Sequence, residues 1–360
     1  MTSIAVRGPT TRFGDVFEVE AAPGSVGSPS AASEPRGHRP TGWLRSPLHD
    51  LTMALLWLPF VAAAHAVADD QDSLRWLVSA TLLFSFAHQP LTLWLVYGDA
   101  AQRTAHRRLA MWGPVGAAVA VGAGTTLRPD IVALIAGVWN VAHTLRQRYG
   151  VSRLYGRLAG LDCSGDNRLL WSWMALATVV ALTGTDLVDA ARRAGLGRRN
   201  TTAVDVLASA DAVGAALLIA SLSVAVFVTV AWLQDERRRT THSLPRFAYL
   251  ASTAALFVVL AVEPVAGFVG YVGAHAAEYF LVVRWRIQRA GDQTTHGDAV
   301  GALVRRLGSN GAMALYAVLI VALITGLAGF GGSHAALALT LTLGALHLTF
   351  DSVIWRSPSK

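Results

Sequence analysis

Apolar runs close to twenty residues long recur along nearly the whole chain after Arg45, and no other feature constrains the fold as strongly. At a rise of about 1.5 Å per residue, roughly twenty helical residues cross the hydrocarbon of a bilayer, where each backbone N–H and C=O must be satisfied within its own segment. A water-soluble helical protein needs polar stripes on its outer helices, and these runs mostly lack them. Composition agrees: of 360 residues 53% are hydrophobic and 15% charged, with a mean hydropathy of +0.43. The expected fold is all-α, a polytopic membrane helix bundle with about ten transmembrane helices.

The expected spans lie near 51–68, 74–97, 110–127, 130–146, 169–186, 211–233, 246–262, 264–283, 311–329 and 334–355. Pro129 and Pro264 leave two divisions open, since each marks either a tight turn or a broken, re-entrant helix. Residues 1–45 are expected to form a disordered cytoplasmic tail, and 46–360 the membrane domain. Pro23 to Pro40 holds no apolar core, and no signal peptide is expected within 1–40. Cys163 is the single cysteine, which excludes an internal disulfide and a thiolate metal cluster.

The net charge is +7 and the pI about 10.1. The basic residues cluster between apolar runs, as in cytoplasmic loops facing anionic lipid, and nucleic acid is not an expected partner. With the N-terminus inside, the inner segments are 1–49, 98–109, 147–168, 234–245, 284–310 and the C-terminus. With their edges they hold 24 of the 30 basic residues. Asp69, Asp70 and Asp72 then fall outside, while Arg192, Arg193, Arg198 and Arg199 resist the scheme. The expectation is a multi-pass protein of an inner or plasma membrane, with both termini cytoplasmic.

Polar groups in hydrocarbon are costly and need a partner or a role. His88-Gln89-Pro90 in the second span reads equally as a proline kink, with His88 bonding a freed carbonyl, or as a ligand or proton-transfer group. In the fourth span Asn140, His143 and Gln147 share a helix face. In the eighth, His275 and Glu278 are three apart and suit either a shared metal or a buried ion pair. In the tenth, His347 and Asp351 stack one turn apart, before Trp355 and Arg356 at the interface. These four spans run toward the cytoplasmic side, so their histidines lie at comparable depths. His88, His143, His275 and His347 are therefore the candidate metal ligands, and Glu278 and Asp351 the candidate catalytic carboxylates. Spans eight and ten are expected to pack side by side, uniting His275, Glu278, His347 and Asp351. Such ligands fit iron, zinc or manganese without deciding among them; iron is the first candidate cofactor, zinc or manganese the alternatives.

On His143 through Gly150, His275 to Tyr279, and His347, Asp351, Trp355 and Arg356, the chain resembles an uncharacterised family of bacterial polytopic membrane proteins. That resemblance implies a membrane bundle and brings no activity with it. In outline the chain is also similar to the multi-span carotene-cleaving oxygenases of bacteria, all-helical membrane enzymes thought to hold iron with intramembrane histidines.

Three functions follow from these residues. The first is a membrane-embedded, metal-dependent oxidoreductase acting on a hydrophobic or lipid substrate. The second is a proton-coupled transporter using the same residues as a relay, against which stands the bias of the polar groups toward one membrane side. The third is a lipid-binding or lipid-modifying protein whose Arg146, Arg284, Arg286 and Arg356 grip a phosphorylated headgroup. The expected partners are membrane lipids and a hydrophobic small molecule or lipid.

Overall fold

The computed structural model describes residues 42–184, 186–195, 214–292, 299–329 and 333–354. Regular structure among the described residues is entirely helical: α1 (Pro47–Ala54), α2 (Trp57–Ala66), α3 (Gln71–Gly98), α4 (Ala100–Ala105), α5 (Arg107–Leu127), α6 (Pro129–Leu158), α7 (Ser164–Gly184), α8 (Leu187–Arg193), α9 (Gly214–Arg237), α10 (Leu244–Val262), α11 (Pro264–Asp292), α12 (Ala299–Gly329) and α13 (His334–Ile354). Residues 1–41 of the expected tail, Arg198, Arg199, Trp355 and Arg356 lie outside the described residues. Arg192 and Arg193 close α8, where positive charge suits the negative end of a helix.

Six helices, α5 and α9 to α13, are long and apolar enough to cross a membrane, and up to eight spans result if α1 with α2 and α7 with α8 each count as one. The α1–α2 pair bends by 44°. The two long helices outside that set, α3 and α6, carry His88 and His143.

The open divisions at Pro129 and Pro264 resolve as turns between separate helices. Each proline is the first residue of its helix, where its fixed φ is suited and its missing N–H is no loss. The residues before them, Arg128 (φ −147°, ψ 72°) and Glu263 (φ −134°, ψ 74°), have left the helical region, which a following proline disfavours. In both cases the helices on either side pack on each other.

The burial pattern is that of a bundle with an apolar exterior. Only 6% of the apolar window is buried in α5 and in α9, against 67% in α11, which runs through the centre. Phe227 (74% exposed), Val119 (66%) and Val318 (65%) point outward from α9, α5 and α12. In water each such side chain would forgo about 1.5–3 kcal/mol of burial. Among lipid chains that cost vanishes, so the exposed faces fit a multi-pass membrane protein.

Around α11 the packing forms a ring of four: α3 and α6 each pack along both α11 and α13. The expectation that the eighth and tenth spans lie side by side is corrected here, because α11 and α13 sit diagonally with α3 and α6 between them. A proline at position 90 frees the carbonyl of Phe86, four residues before it. Beside it the Ala87 carbonyl accepts a hydrogen bond from the Tyr316 hydroxyl of α12, and the His88 ring faces those of His275 and His347.

Candidate metal centre

Each of the four ring helices contributes one imidazole. One donor nitrogen from each of His88, His143, His275 and His347 can be chosen so that all four lie within 4.8 Å of one another. His347 Nε2 is 3.1 Å from His88 Nε2 and 3.2 Å from His143 Nε2. The rings meet edge to face around a closed cycle, with centroids 4.6 Å apart for His88 and His275, 5.2 Å for His275 and His143, 4.8 Å for His143 and His347, and 4.7 Å for His347 and His88. Three of the four are buried at 1% exposure or less; His143 alone is partly reachable, with 11% of its side chain exposed.

Thr92, Tyr279 and Asp351 hold one of the ligands. Asp351 Oδ1 accepts from the hydroxyls of Thr92 (2.9 Å) and Tyr279 (3.0 Å). With its proton committed to Asp351, Thr92 Oγ1 accepts from His347 Nδ1 at 2.6 Å. His347 is thereby set as the Nδ1–H tautomer, with the Nε2 lone pair turned to the other imidazoles. Asp351 Oδ2 lies 3.7 Å from His143 Nε2 and 3.8 Å from His347 Nε2.

A ring of histidine–histidine hydrogen bonds does not account for these contacts. The single lone pair on His347 Nε2 can accept one proton well, yet two imidazole nitrogens stand at bonding distance from it. His275 is left with no partner among the described residues at either ring nitrogen although it is buried, a costly state for a polar group. A cation at the centre of the cycle satisfies all four rings at once. Nitrogen separations are about 3.3 Å for a tetrahedral pair and about 4.1 Å for a trans pair at metal–nitrogen bonds of about 2.0–2.1 Å. The two short contacts match the first, and all four donors lie within 4.8 Å of one another. The cluster can coordinate a metal ion, and its donor set is uncharged imidazole.

Glu278 is turned the other way. Its Oε2 accepts from Gln147 Nε2 and from the Tyr249 hydroxyl, both at 3.1 Å, and its Oε1 lies 3.7 Å from Arg148 Nη2. The spacing of three residues from His275 therefore does not bring Glu278 into the imidazole cycle. Of the arginines considered for a headgroup clamp, Arg286 pairs with Asp99 at 3.2 Å, Arg284 bonds Asn310, and Arg146 is exposed. Asn140 is half-buried.

Sequence reading missed Thr92, Tyr279 and Arg148. A signal for the first two was present: each histidine is followed four residues later by a polar side chain, Thr92, Gln147, Tyr279 and Asp351. One helical turn separates the members of each pair, so the four helices build two layers, imidazoles and then hydrogen-bonding groups. Also missed was a staple near the ends of α7 and α9, where buried Arg246 binds Asp166 through both Nε (2.8 Å) and Nη2 (2.5 Å) and Glu236 at 2.8 Å. Its two carboxylates and one guanidinium, with Arg239 3.0 Å from Glu236, join α7, α9 and α10. Compared with protein-family models, with curated proteins and with solved structures, the chain matches none of them.

Proposed function

We propose that this is a membrane-embedded, metal-dependent oxidoreductase of about ten spans, which binds iron through His88, His143, His275 and His347 and acts on a hydrophobic or lipid substrate. The observation that carries the reading is the closed cycle of four imidazoles, three of them buried, in which His275 has no other partner among the described residues. Iron is favoured over zinc because zinc is saturated by four protein ligands in a compact tetrahedron, whereas iron keeps positions open for oxygen or substrate beyond four nitrogen donors.

The route to the centre supports a lipid-soluble substrate. His143, the one partly exposed ligand, lies one turn from Trp139 and two turns from Ile135, both exposed on α6. A molecule dissolved among the lipid chains meets this face directly. The outline similarity to histidine-dependent carotene-cleaving oxygenases points to the same substrate class. Asp351, anchored by Thr92 and Tyr279, is the carboxylate placed to compensate charge at the metal.

Elemental analysis of the purified full chain tests the reading. One iron per chain is expected, falling at least tenfold in each of the four single His→Ala variants, with oxygen consumption when the iron protein meets a carotenoid or polyunsaturated lipid. No stoichiometric metal would sink the metal centre. Stoichiometric zinc with no oxygen consumption would leave a metal site and remove the oxidoreductase.

A further inference from the structure

Beyond His275, on the side facing α6 and α10, lies a second buried polar set that plays no part in holding the imidazoles. Arg148 and Glu278 are each 1% exposed, and their 3.7 Å separation is an ion pair without a hydrogen bond. Arg148 Nε and Nη2, Glu278 Oε1 and Gln147 Oε1 have no hydrogen-bond partner among the described residues, and neither have the Tyr155 hydroxyl and Asp50 Oδ1. Folded proteins rarely leave buried polar atoms unmet, and a run of them is the setting in which internal water is held, each molecule by two to four polar groups.

Pairwise contacts connect several of these groups. Gln147 Nε2 donates both to the carbonyl of His275 (3.2 Å) and to Glu278 Oε2 (3.1 Å). Tyr249 donates to the same carboxylate oxygen, and its ring lies 6.1 Å from that of Tyr155. Tyr155 packs in one cluster with Tyr249 and with Met53 and Ala54 of α1, the helix that carries Asp50. Asp50 is 2% exposed, and its Oδ2 accepts from the Leu44 backbone N–H at 2.6 Å. The adjacent His49 is exposed and bonded to Ser46 at the start of α1. These groups thus extend from beside the metal centre to the surface of the bundle. Arg148, set 5.8 Å from the ring centroids of both Tyr249 and Tyr271, offsets the carboxylate charge along the way.

We propose that Glu278, Tyr155 and Asp50, joined by internal water, form a proton pathway between the four-histidine centre and the end of the bundle carrying the Leu44–Asp50 turn. The proposal rests on the oxidoreductase reading for its purpose. Four neutral imidazoles bring no charge to balance a metal whose own charge changes by one on each electron transfer, and an unbalanced charge is expensive in a low-dielectric interior. With iron held by the four histidines, one electron from an external one-electron reductant would be matched by one proton entering past Asp50 and taken up by the Glu278 carboxylate, so the interior would gain no net charge.

Two measurements test this. The first needs no metal: X-ray hydroxyl-radical footprinting of the full chain in lipid nanodiscs reports water beside buried side chains. Tyr155, Tyr249 and Phe350 are all 0% exposed. After normalisation to intrinsic reactivity, the two tyrosines are expected to be oxidised at least fivefold faster than Phe350; equal rates mean a dry interior and overturn the pathway. The second follows proton uptake with a pH indicator while the iron-loaded protein is reduced by dithionite. Asp50→Asn and Glu278→Gln should slow uptake at least tenfold at unchanged iron content, and uptake at the parental rate in Asp50→Asn overturns the proposal. Failure of iron to bind sinks the proposed function instead, and the footprinting then decides the pathway by itself.

Discussion

The hydroxyl of Thr92 stands between a candidate metal ligand and a carboxylate, 2.6 Å from His347 Nδ1 and 2.9 Å from Asp351 Oδ1. Removing it strips the proton acceptor that sets the His347 tautomer and one of the donors that hold Asp351. Groups that orient a ligand typically change metal affinity by about 10–100-fold when lost. Thr92→Val is therefore expected to weaken iron binding by about that factor, with Thr92→Ser restoring most of it, as read by metal titration against a competing chelator. Equal affinities in Thr92→Val and the parent would remove Thr92 from the site. At this scale the histidines and Asp351 stood out in the sequence because ionisable groups are rare in apolar runs. Thr92 and Tyr279 did not, because a hydroxyl in such a run is commonplace until its neighbour across the bundle is known.

Helix α10 and helix α11 are joined by the turn at Glu263 and Pro264, and their close approach depends on one small residue. A side chain at Gly267 would meet the backbone of Leu260, with the Leu260 nitrogen at 2.6 Å from the added carbon. Backbone cannot rotate out of the way, so Gly267→Ala forces the two helices apart. Overpacking of this kind costs about 1–3 kcal/mol. Gly116, exposed on α5 with open space around it, serves as the control. Thermal denaturation in micelles is expected to show a clear loss for Gly267→Ala and little change for Gly116→Ala; matching behaviour would show that the hairpin tolerates separation. The existence of these helices was legible from length and apolarity, and the start of α11 from Pro264. Which glycine lies at a crossing was not, because that depends on the partner helix.

For the whole molecule, we propose from the charge count that both termini are cytoplasmic and the start of α3 lies outside. A cysteine placed by Gln71→Cys should react with a membrane-impermeant maleimide added to the outer face of intact cells, and labelling only from the cytoplasmic face would reverse the topology. The native thiol gives little background: Cys163 is 4% exposed and its burial pushes the thiol pKa up to about 11, leaving little thiolate at neutral pH. Deleting residues 1–38 should leave insertion unchanged, as measured by membrane fractionation, since that stretch has too little apolar surface to contribute to the bundle. Complete loss of inserted protein would show a targeting element there.

What the sequence determined by itself is the all-helical class, the positions of the long apolar segments and the four histidines as the groups most in need of a partner. All of these follow from local quantities: the length of an apolar run, the cost of a polar group within it, and the 3.6-residue turn that places i and i+4 on one face. Only the tertiary structure decided that α11 and α13 are diagonal, that the four imidazoles close a cycle, and that Glu278 turns away from it toward Arg148. Such choices depend on how each helix is rotated about its axis and which helices it meets. Rotation is set by the packing of whole faces, such as Val96, Leu346 and Phe350 where α3 meets α13, and no window of sequence contains both sides of that contact.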